Sequence, residues 1–134
     1  MPMSEQSVFG RIISGEIPCY KVYEDELTFA FLDINPVRPG HVLIVPKIEV
    51  DHFFEVPEPY YQAVFTTAKK LAPAVREAVG SGRIATVIAG FDVPHFHYHL
   101  IPADSMSDID FHKTKKLEPA EMEKIRAKIA SRVS

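Results

Sequence analysis

Residues 94–102 read PHFHYHLIP and place three histidines, His95, His97 and His99, at alternate positions. In an extended chain, successive side chains point to opposite faces, so the three imidazoles would share one face. The aromatic and apolar side chains between them would then point towards a core. Three imidazoles side by side are poor core material, because each ring carries nitrogen atoms that need hydrogen-bond partners. The stretch therefore predicts a strand with one chemically active face and one core face.

Hydrophobic spacing around this stretch predicts five strands and three helices. The strands are expected at residues 19–23, 28–32, 42–45, 83–89 and 96–101. The helices are expected at residues 7–14, from about 59 to 79, and from 119 onwards. Strands joined in sequence by short turns favour antiparallel pairing. The expected fold is therefore α+β, with a five-stranded, mainly antiparallel sheet and flanking helices.

The composition is typical of one soluble globular domain, since 46% of the 134 residues are apolar and 25% are charged. The net charge of −3 gives no support to a large basic surface for duplex nucleic acid. No apolar run approaches the roughly 18 residues of a membrane span, and residues 1–6 lack the order of a signal peptide. A single cysteine, Cys19, excludes an internal disulfide and a zinc site built from several cysteines. A cytoplasmic location is the expectation.

Two kinds of chemistry fit three histidines on one face. In the first, one histidine is a nucleophile and the others orient it or bind an anion. In the second, the three hold a divalent metal, with His41 as the candidate fourth ligand. Neighbours on one face of a strand lie about 6.6 Å apart, which suits two ligands of one metal better than three in line. The residues favour the nucleophile and leave the metal open.

At this point a resemblance to a known family becomes specific. His-x-His-x-His followed by two apolar residues resembles the signature of the histidine triad (HIT) family of nucleotidyl hydrolases and transferases. Residues 31–47, FLDINPVRPGHVLIVPK, are similar to the family's segment of Asp, Pro, His, an apolar strand and Pro-Lys. Residues 8–25, VFGRIISGEIPCYKVYED, resemble its N-terminal helix and first strand. The resemblance implies a HIT domain over residues 1–134, with its motifs in 7–102 and a C-terminal tail and helix in 103–134.

The resemblance also implies a mechanism. In this family the middle histidine, here His97, attacks the α-phosphorus of a nucleotide, and water then hydrolyses the nucleotidyl-histidine. His99 would contact the phosphate oxygens or the bridging atom, while His95 and His41 would orient the ring and fix its tautomer. No metal or other cofactor is implied. An ordinary histidine pKa of about 6.5 leaves most of the imidazole neutral at pH 7, as a nucleophile requires.

The nucleoside end follows from the same resemblance. Asp33 matches the family's ribose-binding acid, and a carboxylate can accept hydrogen bonds from both the 2′ and the 3′ hydroxyl. The alternative for Asp33 is a turn into Asn35 and Pro36. The positions that match the base pocket are Phe9, Ile12, Ile17, Phe31, Leu32, Ile34 and Leu43, for which ordinary core packing is the alternative. Asp92 and Val93 complete the expected nucleotide contacts.

The chain departs from the family's pattern at three places. Many members carry Cys-x-x-Cys at the N-terminal helix as half of a structural zinc site, and here Ser7 and Gly10 occupy those positions, so that zinc is expected to be absent. The usual Gly-Gln-Ser-Val before the triad is replaced by Gly-Phe-Asp-Val, which puts Phe91 and Asp92 in place of a phosphate contact. An upstream phosphate-binding asparagine has no counterpart. An acid at position 92 would repel a phosphate dianion, so the leaving group is not specified.

The expected function is hydrolysis or transfer of a substituent on the α-phosphate of a purine nucleotide, such as a nucleoside phosphoramidate or a dinucleoside polyphosphate. Two alternatives remain: a histidine-ligated metal-dependent hydrolase, and a nucleotide-binding module with little turnover. Family members are usually homodimers whose sheet continues across the interface. A homodimer is therefore expected, with Tyr60, Tyr61 and Phe65 of the helix at 59–79 as the contact surface. Neither duplex nucleic acid nor a membrane is an expected partner.

Overall fold

A computed structural model describes residues 6–133. Residues 1–5 and residue 134 lie outside this range. The prediction that residues 1–6 do not form a signal peptide therefore falls almost entirely on residues that are not described. Within residues 6–133 the helices are α1 (Val8–Ile13), α2 (Tyr60–Val79) and α3 (Pro119–Ala130). The strands are β1 (Lys21–Glu24), β2 (Thr28–Leu32), β3 (Val42–Pro46), β4 (Arg83–Val87) and β5 (Tyr98–Ala103). Short 3-10 turns lie at Phe53–Glu55 and Met106–Asp108.

The five strands form one sheet in the order β1-β2-β3-β5-β4, and every neighbouring pair is antiparallel. This confirms the predicted α+β class. In the register of the sheet, Leu43 of β3 lies between Phe31 of β2 and His99 of β5. Residues paired across an antiparallel sheet share a face, so these three side chains project to the same side.

The sheet separates two apolar clusters, which explains why β2 and β3 are apolar at almost every position. Helices α2 and α3 pack on one face, where Leu71, Leu100 and Ile129 are fully buried. Helix α1 packs on the other face, where Phe9 and Ile12 contact the side chains that project from β2 and β3. A strand buried on both faces reads as a continuous apolar run.

Helix α1 begins and ends as its sequence predicts. The Ser7 hydroxyl accepts a hydrogen bond from the Gly10 N–H at 3.0 Å, which caps the helix. Gly15 follows the helix with a φ of 85°, a conformation that favours glycine. In α2 the sequence predicts a kink or local opening at Pro73, and the helix runs through this residue to Val79. No helix in residues 6–133 is long and apolar enough to cross a membrane.

The strand boundaries correct the prediction around the triad. Strand β5 begins at Tyr98, two residues later than predicted, so His95 and His97 lie in the loop that precedes it. The Phe96 N–H donates to the Val50 carbonyl at 2.6 Å, outside the sheet, which explains the late start. Similarly, β1 begins two residues later and β4 ends two residues earlier than predicted. Strand β2 has the predicted bounds.

Candidate active site

A cavity of about 500 Å³ opens on the face of the sheet that carries α1. His97 and His99 both line it. So do the ten residues that the sequence assigns to the nucleotide: Phe9, Ile12, Ile17, Phe31, Leu32, Asp33, Ile34, Leu43, Asp92 and Val93. The cavity therefore combines an apolar wall, two imidazoles and two carboxylates, of which that of Asp33 is partly buried and that of Asp92 exposed. His95 and His41 are buried outside its lining.

The tautomer of His97 follows from one hydrogen bond. Its Nδ1 lies 2.7 Å from the backbone carbonyl of His95, and a carbonyl can only accept. Nδ1 therefore carries the proton, and Nε2 keeps its lone pair on the side of the ring away from that bond. The Phe9 ring packs edge-on against the imidazole with 4.9 Å between centroids. Burial lowers the pKa of His97, which favours the neutral form that a nucleophile needs.

A chain of hydrogen bonds determines the tautomers of His41 and His99. The Val37 N–H donates to His41 Nδ1 at 3.1 Å, so a neutral His41 carries its proton on Nε2. His41 Nε2 lies 2.9 Å from His99 Nδ1 and donates to it. A neutral His99 must therefore carry its own proton on Nε2. That nitrogen is buried and makes no hydrogen bond of good geometry among residues 6–133, although the Ala89 backbone, which also lines the cavity, acts to raise the pKa of the ring. It is therefore the His99 nitrogen that can donate to a ligand in the cavity.

Both rings of this chain are held in the neutral state. Burial, reinforced by the neighbouring histidines, lowers the pKa of His41 to about 3. Burial, with the charge of His97 as the second cause, lowers the pKa of His99 to about 4. A charged imidazole would have to give up its hydration, and the Asp33 carboxylate, 3.8 Å from His41 Nε2, lies beyond hydrogen-bond distance. At neutral pH the Val37 N–H therefore donates to His41, and His41 donates to His99.

The His95 ring lies outside the cavity lining, although Phe9 of α1 packs against it as it does against His97. Its Nε2 donates to the Pro46 carbonyl at 3.0 Å, and its Nδ1 lies 2.8 Å from the Ser7 hydroxyl. The His95 backbone carbonyl, and not its ring, contacts the ring of His97. His41 likewise contacts His99 and not His97. The two histidines outside the cavity thus orient those inside it by different routes.

Asp33 combines the two roles that its sequence position allows. Its Oδ1 accepts the Asn35 N–H at 2.8 Å, which forms the predicted turn. Its Oδ2 lies 3.8 Å from His41 Nε2, and the side chain lines the cavity. Burial raises the pKa of Asp33, while the Asn35 N–H acts in the opposite direction. The turn therefore does not exclude a ligand contact, because it uses one carboxylate oxygen.

Asp33, His41 and His99 could also hold a metal, because each offers a ligand atom and these atoms lie within 4.8 Å of one another. The hydrogen bonds of His41 oppose this arrangement. Its Nδ1 already accepts the Val37 N–H, so Nε2 bears a proton and has no lone pair for a metal. The observed bonding fits a proton-donating pair better than a set of metal ligands.

Sequence reasoning missed the contribution of the C-terminal tail to the cavity. Phe111 and Thr114 line it, and the Phe111 ring lies 5.1 Å from that of His99 between centroids. The Lys115 N–H donates to the Pro36 carbonyl at 3.0 Å, which ties the tail to the loop between β2 and β3. The available signal was an aromatic residue in a mostly polar segment.

Comparisons with known proteins agree with the fold and the motifs. A family model described as the HIT domain matches residues 14–106. The chain is 32% identical over 143 residues to Protein hit of Bacillus subtilis, covering 100% of this chain and 99% of that one. It is 33% identical over 119 residues to the purine nucleoside phosphoramidase of Escherichia coli, covering 83% of this chain and 98% of that one.

A solved structure has the same architecture. The crystal structure of a Hit-like protein from Bartonella henselae superposes with a TM-score of 0.84 at 27% identity, covering 98% of this chain and 99% of that one. The family model spans most of the sequence, and the histidine triad and the cavity beside it point to the same family. The chain belongs to the histidine triad (HIT) family.

Proposed function

We propose that this protein hydrolyses a substituent from the α-phosphate of a purine nucleotide through a nucleotidyl-histidine on His97. The observation that carries the proposal is the hydrogen bond from His97 Nδ1 to the His95 carbonyl. It leaves the lone pair of Nε2 free in a cavity that also offers a carboxylate and an apolar wall. The name of the Escherichia coli relative, purine nucleoside phosphoramidase, supports the same reaction class.

In the proposed reaction His97 Nε2 attacks the α-phosphorus, and the bond from phosphorus to the leaving group breaks. His99 donates a hydrogen bond from Nε2 to the phosphate oxygens or the bridging atom as negative charge develops there. Water then attacks phosphorus and releases His97. Over the full cycle, water supplies a hydroxyl to phosphorus and a proton to the leaving group. The covalent intermediate divides one difficult displacement into two easier ones.

The nucleoside would bind in the same cavity, beside the two imidazoles. Asp33 has one carboxylate oxygen outside the Asn35 hydrogen bond and would accept from the ribose hydroxyls. Phe9, Phe31 and Leu43 form an apolar surface against which a purine ring can pack. The Phe9 and Phe31 rings contact each other edge-on, with 5.4 Å between centroids, so this wall is preformed.

The charges around the cavity favour a phosphoramidate over a dinucleoside polyphosphate. Asp92 lines the cavity and acts electrostatically on His97. Among residues 6–133, no lysine or arginine contributes to the cavity lining. A polyphosphate leaving group would bring several negative charges to a site without a cation to balance them. An amine leaving group brings none, so Asp92 is compatible with it.

The test compares the wild type with His97→Ala on an adenosine phosphoramidate and on diadenosine tetraphosphate. We expect the wild type to hydrolyse the phosphoramidate faster and to carry one nucleotidyl group, seen by mass spectrometry after rapid quenching. Full activity in His97→Ala would overturn the mechanism. Asp92→Asn should raise the relative rate on diadenosine tetraphosphate. A wild type that prefers diadenosine tetraphosphate would contradict the leaving-group assignment alone.

Two alternatives from the sequence give different results in this assay. A binding module without turnover would bind the nucleotide but form no adduct on His97. A metal-dependent hydrolase would lose activity with a chelator and regain it with metal. The proton on His41 Nε2 favours the metal-free mechanism over the second alternative.

We further propose that the protein is a homodimer with α2 at the interface. Tyr61 and Phe65 are only partly buried, and their rings pack together with 5.1 Å between centroids. Strand β4 lies at an edge of the sheet, where a second sheet could continue it. Sedimentation equilibrium tests this directly. A monomeric wild type, or an unchanged mass for Phe65→Glu, would contradict the proposed interface.

A further inference from the structure

Three side chains from distant parts of the chain meet behind the cavity, and we call them the His95 brace. They are Ser7 before α1, Glu49 after β3 and His95 before β5. The Ser7 hydroxyl lies 2.8 Å from His95 Nδ1, and Glu49 Oε1 lies 3.4 Å from the same nitrogen. The Ser7 backbone N–H also donates to Glu49 Oε1 at 3.3 Å. Each member of the brace thus contacts the other two.

The hydrogen bonds of the brace have one consistent direction. The Pro46 carbonyl can only accept, so His95 Nε2 carries the ring proton and donates to it. His95 Nδ1 then accepts a hydrogen bond from the Ser7 hydroxyl. Glu49 Oε1 can only accept as well, so it is held by the Ser7 backbone N–H and makes no hydrogen bond to this nitrogen. The Ser7 hydroxyl oxygen accepts the N–H of Gly10. Both nitrogens of a ring that is 1% exposed are therefore paired, and the ring orientation is determined.

Gly10 is part of this arrangement because it leaves room for Glu49. A Cβ atom at position 10 would overlap the Glu49 carboxylate. Ser7 and Gly10 stand where the family resemblance leads one to expect the cysteines of a structural zinc site. In this chain one of these positions supplies a donor to His95, and the other supplies space for the acid beside it. Ser7 and Gly10 therefore both fit a carboxylate at position 49, Ser7 by donating to it and Gly10 by leaving space for it.

The brace reaches the reactive histidine through the backbone. The carbonyl of His95 accepts the Nδ1 proton of His97 at 2.7 Å, and that bond determines which His97 nitrogen keeps its lone pair. The position of this carbonyl depends on the ring of the same residue, which the brace holds. Phe9, the second residue of α1, also packs against both rings, with centroids 6.1 Å from His95 and 4.9 Å from His97.

We propose that Ser7 and Glu49 are positioning residues that act through His95 to keep His97 in its nucleophilic tautomer without a metal. The proposal rests on the proposed function, in which His97 attacks phosphorus. It predicts that weakening the brace slows formation of the nucleotidyl-histidine while substrate binding changes little. A purely structural brace would lower stability and leave the tautomer of His97 unaltered.

The experiment compares Ser7→Ala and Ser7→Thr with Ser14→Ala as the matched control. Ser14 lies at the other end of α1, where its hydroxyl donates to the Arg11 carbonyl and does not contact the brace. Adduct formation on an adenosine phosphoramidate is followed by rapid quenching. Loss of one hydrogen bond predicts a rate about tenfold lower in Ser7→Ala, with KM nearly unchanged. Ser7→Thr keeps the hydroxyl and should restore the rate, and Ser14→Ala should match the wild type.

A second measurement needs no turnover. Long-range ¹H–¹⁵N NMR reports which ring nitrogen of His97 is protonated in the free protein. We expect the Nδ1–H tautomer in the wild type and in Ser14→Ala, and a mixture in Ser7→Ala. Gly10→Ala, which should displace Glu49, provides an independent variant with the same expected mixture. Wild-type tautomers and rates in folded Ser7→Ala and Gly10→Ala would overturn the proposal.

The two measurements also distinguish the failure of the brace from the failure of the proposed function. If the wild type forms no adduct, the nucleophilic role of His97 fails, and the NMR comparison still tests the brace. If the wild type forms the adduct and the brace variants keep both its rate and the tautomer, only the brace fails.

Discussion

Replacing His41 with Asn or with Gln separates the two hydrogen bonds that its ring makes. An Asn side chain places its amide oxygen near the position of Nδ1 and can still accept the Val37 N–H. A Gln side chain places its amide nitrogen near the position of Nε2 and can still donate to His99 Nδ1. Each variant therefore removes one bond of the chain and retains the other.

The two variants should lose similar stability. Each leaves one buried group without a partner, the His99 Nδ1 in His41→Asn and the Val37 N–H in His41→Gln. An unpaired buried polar group costs about 1–3 kcal/mol. For a chain of this length, each kcal/mol lowers Tm by about 3–5 °C. Both variants are thus expected to melt several degrees below the wild type and by comparable amounts.

Their activities should differ. His41→Asn removes the His41 Nε2 donor to His99 Nδ1, so His99 is free to carry its proton there and to present an unprotonated Nε2 to the cavity. With that preference lost, both tautomers of His99 are populated, and kcat should fall in proportion to the fraction without the Nε2 proton, roughly twofold if the two are equally stable. His41→Gln retains the donor and should keep most of kcat.

The assay measures kcat and KM on an adenosine phosphoramidate at pH 7, with thermal unfolding of the same preparations. NMR of the His99 ring nitrogens gives the tautomer independently. Equal kcat values in the two variants, or a lower value in His41→Gln, would refute the argument that the Val37–His41–His99 chain determines the proton on His99. A stability loss confined to one variant would refute the energetic reasoning.

Three further predictions concern single residues. Because burial lowers the pKa of His97, kcat/KM on a phosphoramidate should stay level as the pH falls through about 6.5, and a decline centred there would contradict this. Asp33→Asn should raise KM about 10- to 100-fold on a ribonucleotide and much less on its 2′-deoxy analogue. Equal effects would exclude ribose recognition. Gly40→Ala should lower the free energy of unfolding by about 1–3 kcal/mol, since φ is 93° and the added Cβ would lie 2.7 Å from Val79 Cγ1. Gly15→Ala, with a φ of 85° but open space, is the control, and equal losses in urea unfolding would exclude the clash.

Much of the fold could be predicted because local signals agree with tertiary burial. The run at residues 28–32 is apolar enough to be buried on both faces and has turn residues before and after it, so its predicted bounds match those of β2. Gly80 ends α2 in the left-handed region, as expected for a glycine after a long helical pattern. The apolar residues of the cavity wall from Phe9 to Leu43 could be predicted from the family resemblance, because they lie in the two segments, 8–25 and 31–47, that resemble the family's motifs.

The remainder depends on contacts between residues far apart in sequence. Period-2 alternation predicted His95 within a strand, but Phe96 gives its N–H to Val50, and no local pattern indicates that bond. Glu49 is one acid among 18 acidic residues, and only folding brings it to His95. Phe111 reaches His99 across 11 intervening positions that contain no repeat or motif.

The shortness of α1 has a consequence for protein engineering. Its six residues place Phe9 in the cavity wall and, at the same time, in contact with the His97 ring. A library that varies Phe9 to accept a different base would also shift the imidazole on which turnover depends. A change at Phe9 therefore alters both the choice of base and the turnover rate. Directed evolution of base selectivity will require compensating changes elsewhere to restore the position of His97.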